Sequence, residues 1–196
     1  MDDTTQRRFA ARDLAQVAVF AALIIVLGFP GQFTVGSAGV PITLQTLGVM
    51  LAGAILGWRK GVASVLVVIV LSLGLPILAG WRTGLSSLAG PTAGFLIGWI
   101  PAVLVIGALT QAMMPRYRFF TGVAVNIFGG IVVLYVFGIA GMMIRADLSM
   151  GAALAANTAF LPGDVLKAVI AAAVAAPVHR AYPGLIPIRR RVADRG

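Results

Sequence analysis

The chain has no cysteine, no glutamate, one histidine and six acidic residues, all of them aspartate. Without cysteine there are no disulfides and no thiolate chemistry, and the redox compartment leaves no trace. His179, the lone histidine, falls near a basic C-terminal tail, so no Ser-His or Cys-His catalytic pair is expected at the opposite end. His-Glu-x-x-His and metal-ligand clusters are missing, and no metal is expected. Gly-x-x-x-x-Gly-Lys-[Ser/Thr] is missing too, so the chain has no ATP-binding loop of its own. An intramembrane aspartyl dyad needs two aspartates within spans, and only Asp164 qualifies. Proton-coupled carriers use a chain of buried acids, which is also lacking. Charge itself is scarce: 11% of residues are charged and 60% hydrophobic, with a mean hydropathy of +1.00. So little polar surface excludes a soluble domain and defines an integral membrane protein.

What charge there is has a pattern. The formal net charge of +9 invites a nucleic-acid reading, but the basic residues lie between apolar runs, where they orient spans and meet anionic lipid. Six apolar segments are expected to span, at 13–29, 42–57, 61–79, 91–113, 119–144 and 162–181, in an all-α membrane protein of one domain over residues 1–196. Arg7, Arg8 and Arg12, then Arg59 and Lys60, then Arg116 and Arg118, then Arg180, Arg189, Arg190, Arg191 and Arg195 all fall on one face. That face is expected to be cytoplasmic, with both termini inside, in a multi-pass protein of the cell membrane, most simply a bacterial plasma membrane. The opposite loops 30–41, 80–90 and 145–161 carry only Arg82, Arg145 and Asp147. Residues 1–11 lack the apolar core and cleavage site of a secretory signal.

The richest stretch is Ala159-Phe160-Leu161-Pro162-Gly163-Asp164-Val165-Leu166-Lys167, followed by an apolar run. Pro162 suits the first turn of a helix, Asp164 sits at the positive end of the dipole, and Lys167 lies three residues on, on the same face. Charges at membrane depth cost roughly 2.5–3.5 kcal/mol each. The pair is therefore either a cap on the span or a polar clamp for a ligand that is apolar elsewhere. Thr43, Gln45 and Thr46 are hydrogen-bonding groups at the outer end of another span and need partners there. Arg82 stands on an outer loop of small and apolar residues; it is a solvated charge or a carboxylate fork. Trp81 beside it is an interface anchor or a flat wall for a ring. Ala11, Ala15, Ala18 and Ala22, spaced 4, 3, 4, share one helix face. Small residues mark close helix approach, within the bundle or onto another membrane protein. Gly90, Gly94 and Gly98 form a similar ridge. The Gly- and Pro-rich loop 30–41 is a lid or a connector, residues 149–156 a short surface helix, and Asn126 a partner for a neighbouring helix.

Four blocks in order carry a resemblance. Val40-Pro41-Ile42-Thr43-Leu44-Gln45-Thr46-Leu47-Gly48, Gly74-Leu75-Pro76 with Gly80-Trp81-Arg82-Thr83-Gly84, Gly90-Pro91-Thr92-Ala93-Gly94-Phe95-Leu96 and Pro162-Gly163-Asp164-Val165-Leu166-Lys167 resemble the BioY family. These are the biotin-specific substrate-binding (S) components of energy-coupling-factor vitamin transporters. The likeness covers nearly the whole chain. It departs at Trp81, where the family commonly has glycine, and at Ala93-Gly94, often Gly-Gly.

The resemblance implies a six-helix S-component bundle that binds biotin near the outer surface. It also implies two partners, a transmembrane coupling subunit and cytoplasmic ATPases, with biotin as transported ligand and no cofactor. The family's docking helix maps onto Ala11, Ala15, Ala18 and Ala22, and its polar site onto Arg82, Asp164 and Lys167, with Thr43 and Gln45 beside them. Biotin's carboxylate suits Arg or Lys, its ureido N–H groups suit an acceptor such as Asp164, and its rings suit walls of Trp81, Phe33 and Phe160. Lys167 has two available roles, meeting the carboxylate or holding Asp164. The competing readings are a self-sufficient small-solute channel or facilitator and, further off, a membrane enzyme.

Overall fold

The computed structural model describes residues 10–30, 33–34 and 41–186. Helix α1 (Ala11–Val26) starts where Asp13 accepts the Ala10 N–H at 3.3 Å, an acid on the positive end of the dipole. A two-residue antiparallel pair, β1 (Phe33–Thr34) with β2 (Pro41–Ile42), precedes α2 (Gln45–Gly74). The other helices are α3 (Gly84–Ala89), α4 (Ala93–Met113), α5 (Phe119–Ile127), α6 (Leu134–Ala146), α7 (Met150–Thr158) and α8 (Leu161–Ala181). A π-helical turn, Phe128–Val133, joins α5 directly to α6. The all-α class expected from composition holds, with the short β pair added.

The segment boundaries shift for local reasons. No loop separates the expected spans 42–57 and 61–79. Gly57, at φ 76° and ψ −179°, breaks α2 into two arms, a left-handed conformation that suits glycine. The second arm folds back on the first, so that a Cβ added at Gly61 would lie 3.0 Å from Ala52 O. Residues 75–79 are not helical: Leu75 is extended at φ −119°, ψ 141°, as the position before Pro76 favours. Segment 13–29 becomes the 16-residue α1. Residues 149–156 fall largely in α7, whose N-cap Ser149 accepts the Ala152 N–H at 3.3 Å.

Among the described residues, four helical stretches are long and apolar enough to cross a membrane: Gln45–Gly74, Ala93–Met113, Phe119–Ala146 and Leu161–Ala181. Large apolar side chains point outward along them, among them Val70, Val136 and Leu166, each at least 60% exposed. Lipid is the solvent that tolerates such a surface.

Packing centres on α2, which contacts α1, α4 and α8. Ala168, Ala171, Ala172 and Ala175 of α8 are fully buried and bring its backbone close to its neighbours. Of the expected glycine ridge, Gly94 and Gly98 face α6: a Cβ on Gly94 would strike Phe137 O and lie 2.8 Å from Gly141 Cα. Gly90 caps α3 instead and has room. Asn126 does not join a second helix. Its amide donates at 2.9 Å to Gly122 O, one turn back in α5.

Candidate ligand-binding site

The N-terminus of α8 delivers the acid and the base together. Asp164 and Lys167 are each 5% exposed, with Lys167 Nζ 2.8 Å from Asp164 Oδ1. Lys167 also donates to Thr43 O at 2.6 Å and Thr46 Oγ1 at 3.0 Å. An ammonium has three N–H donors, so all are used. Tyr135 donates its hydroxyl to Asp164 Oδ2 at 2.8 Å. The pair therefore binds α8 to the start of α2 and to α6, and each carboxylate oxygen keeps accepting capacity.

Tyr135 owes its place to the π turn before it. A π turn takes one residue more per turn than an α-helix and rotates everything downstream. The turn runs through Gly129 and Gly130, where an added Cβ would meet the side chains of Ile106 and Met50. Leu134 and Tyr135 follow immediately, the first lining the pocket and the second reaching Asp164.

A pocket opens over this floor, enclosing about 640 Å³ of empty space with its mouth included. Its walls are Leu78, Phe95, Leu96, Trp99, Leu134 and Phe160, and its polar lining is Thr43, Gln45, Thr46, Arg82, Ser87, Thr92, Asp164 and Lys167. Phe95 meets Tyr135 and Phe160 edge to face, with centroids 6.4 and 6.2 Å apart. Apolar walls with a few fixed polar groups are the usual make-up of a small-molecule site.

Arg82 enters from the loop between α2 and α3. A Leu78–Arg82 backbone bridge closes that loop. Arg82 Nε donates to Ala79 O at 3.2 Å and Nη1 to Thr92 Oγ1 at 3.4 Å. Two of its five N–H donors are thus engaged. Burial lowers its pKa from the ordinary value, but a guanidinium stays charged. Among the described residues the ion pairs are Lys60–Asp13 and Lys167–Asp164. Arg82 therefore faces the pocket without a carboxylate partner, and one positive charge is left over there.

The sequence-predicted residues divide. Arg82, Asp164, Lys167, Thr43, Gln45 and Phe160 line one pocket. Gln45 is committed to the protein as well: Oε1 accepts from Ala79 N at 2.9 Å, and Nε2 donates to Ile24 O and Ile77 O at 3.4 Å. Trp81, expected as a wall, does not line the pocket. It is 71% exposed and stacks on Phe29 at 5.3 Å. At φ 57° its left-handed backbone directs the side chain away, in a conformation that glycine adopts without strain. The side chain of Phe33 lies outside the described residues. Trp99, Phe95, Leu134, Ser87, Thr92 and Tyr135 carry no site role in the sequence reading. Thr92 and Phe95 stand in a block that carried the resemblance, but no spacing ties Tyr135 to an aspartate 29 residues away.

Fold and site together define an integral membrane protein with an apolar pocket between its helices, into which a guanidinium, an acid–base pair and a few other polar groups are turned. The profile of the BioY family matches residues 2–184, and the chain belongs to that family. It is similar to the biotin transporter BioY of Rhizobium etli, 45% identical over 92% of this chain and 99% of that protein. The biotin transporter BioY of Rhodobacter capsulatus is 42% identical, over 91% and 98%. Among solved structures, the S-component for biotin from an ECF-type ABC transporter superposes with a TM-score of 0.83 at 28% identity, over 88% of this chain and 95% of that one.

Proposed function

We propose that this chain is the biotin-capturing membrane subunit of an ATP-driven importer of the energy-coupling-factor type. It takes biotin at the outer face of a bacterial plasma membrane. Other chains, a coupling subunit and cytoplasmic ATPases, supply the energy that its own sequence has no motif to extract. The observation that carries the reading is the unpaired Arg82 guanidinium in an apolar pocket whose other charges, Asp164 and Lys167, neutralise each other. Such a site has room for one anionic group. Lys167 spends all three donors within the protein, which makes it the holder of Asp164 and leaves the carboxylate tail to Arg82. Asp164 keeps lone pairs for a ureido N–H, and Phe95, Trp99 and Phe160 flank the fused rings. The names borne by the similar proteins point to the same ligand.

The outward alanine face supports a docking role for α1. Ala11, Ala15, Ala18 and Ala22 are exposed, whereas Val17, Ala21 and Ile24 turn inward. Six crossings are counted as α1, the two arms of α2, α4, α5 with α6, and α8, with both termini cytoplasmic.

The test is calorimetric titration of the detergent-purified chain with biotin. Saturable one-site binding is expected. Desthiobiotin, which keeps the ureido ring and tail, should compete; lipoic acid, which has a tail but no ureido group, should not. Absence of saturable binding sinks the reading.

A further inference from the structure

One polar atom in the pocket is unaccounted for. Ser87 is 2% exposed, and its Oγ is buried without a hydrogen-bond partner among the described residues. It lines the same pocket as Arg82. A serine at this depth in a six-residue helix ordinarily bonds a nearby backbone group. Its neighbours show how readily that happens: Ser86 Oγ donates to Thr83 O at 2.8 Å, and Thr92 Oγ1 donates to Ser87 O at 3.2 Å. Ser87 does neither. Leaving a buried hydroxyl unpaired carries a desolvation penalty, so such a group calls for an explanation.

The surroundings name the chemistry. Thr92 Oγ1 accepts from Arg82 Nη1 while donating to the carbonyl of Ser87, so guanidinium, threonine and serine form one side of the pocket. Thr92 has spent its only proton. Ser87 keeps both its proton and its lone pairs. Next to an unpaired guanidinium, the group that wants one more O–H donor is a carboxylate oxygen.

We infer that Ser87 is a specificity-determining residue for the ligand's acid tail, donating its hydroxyl to the carboxylate that Arg82 neutralises. The inference rests on the biotin reading above and adds a residue to it. A hydroxyl held ready for a ligand makes the free protein no more stable, and the bound complex is where it becomes satisfied.

That trade-off sets the experiment. Ser87→Ala and Ser87→Cys are purified in detergent and titrated with biotin and with biotin amide. Melting temperatures are recorded with and without ligand. For Ser87→Ala the biotin Kd should rise roughly ten- to a hundredfold, the value of a hydrogen bond to a charged group. Biotin amide, which offers a neutral oxygen, should lose only a few-fold. The melting temperature of the free protein should stay level or rise, and its increase on adding biotin should shrink. Ser87→Cys, of similar shape with a weak donor, should fall between. In the background Arg82→Ala, the same serine substitution should cost less than it does alone, because the two groups share one carboxylate.

Unchanged biotin affinity in Ser87→Ala overturns this inference and leaves the biotin reading intact. Equal losses for both ligands with a lower melting temperature of the free protein also overturn it, since that is the signature of a structural serine. Wild-type protein that binds no biotin overturns the reading and the inference together.

Discussion

Asp164, Lys167 and Tyr135 are joined by charge-assisted bonds, with the acid and the base both buried. Removing one partner of a buried pair strands the other and typically costs about 3–5 kcal/mol. Asp164→Asn and Lys167→Met are each expected to lower the melting temperature and to weaken biotin binding sharply. The double variant, with no stranded charge, should recover much of the stability and none of the affinity. Thermal melts and titrations of the three proteins check this; near-normal binding by both single variants would remove the pair from the site. Arg82 has a different task and a different test. Arg82→Ala should weaken biotin strongly. Biotin amide should bind the wild type less well and lose little more in the variant. Equal losses for the two ligands would make Arg82 a structural or ureido contact.

At the scale of elements, the pocket depends on how near α4 comes to α6. Phe95 and Leu96 stand on the first and Leu134 on the second, and Gly94 sets their separation. Gly94→Val presses a branched side chain against backbone. Overpacking of this kind costs about 1–3 kcal/mol, and the walls should part enough to weaken biotin as well. Gly90→Ala is the control, since the nearest atom to its Cβ is Ser86 O at 3.6 Å. Equal melting temperatures for the two variants would show that the crossing tolerates expansion. The alanine face of α1 is separate from the pocket. Ala15→Trp and Ala18→Trp should leave biotin binding intact and abolish co-purification with the coupling subunit and ATP-driven uptake, because a Trp there holds a partner helix several ångströms off. Continued co-purification would place that face against lipid, and loss of binding would place it inside the bundle.

Over the whole molecule, the two ends are chemically opposed. One carries the pocket. The other gathers Arg12, Arg59, Lys60, Arg116, Arg118 and Arg180 and is tied by Lys60, which meets Asp13 Oδ1 at 3.3 Å, Gln16 Oε1 at 2.6 Å and Leu185 O at 3.2 Å. The proposed function puts capture at one end and partner contact at the other, which predicts a division of labour. Vesicles containing this chain alone should bind biotin without accumulating it, and uptake should begin when coupling and ATPase subunits are added with ATP. Accumulation by the chain alone would restore the facilitator reading.

Composition alone made this a helical membrane protein, because a surface so poor in charge has no aqueous solution. Positive charges at alternate apolar boundaries set one end of the chain's helices apart from the other, and the three-residue spacing of Asp164 and Lys167 placed them on one face. Those inferences were open to the sequence because each depends on neighbours along the chain. What joins distant segments was not. The contact of Tyr135 with Asp164 needs a π turn to rephase a helix, and the commitment of Gln45 to three backbone groups needs α1 and the 75–79 segment packed against α2. Trp81 faces outward because one left-handed residue overrides its position beside Arg82. The lone hydroxyl of Ser87 is visible only once every neighbouring donor and acceptor has been paired. Hydropathy and helical period act over a few residues, whereas burial and hydrogen-bond satisfaction are properties of the packed whole, so the tertiary structure alone decided which polar groups were left for a ligand.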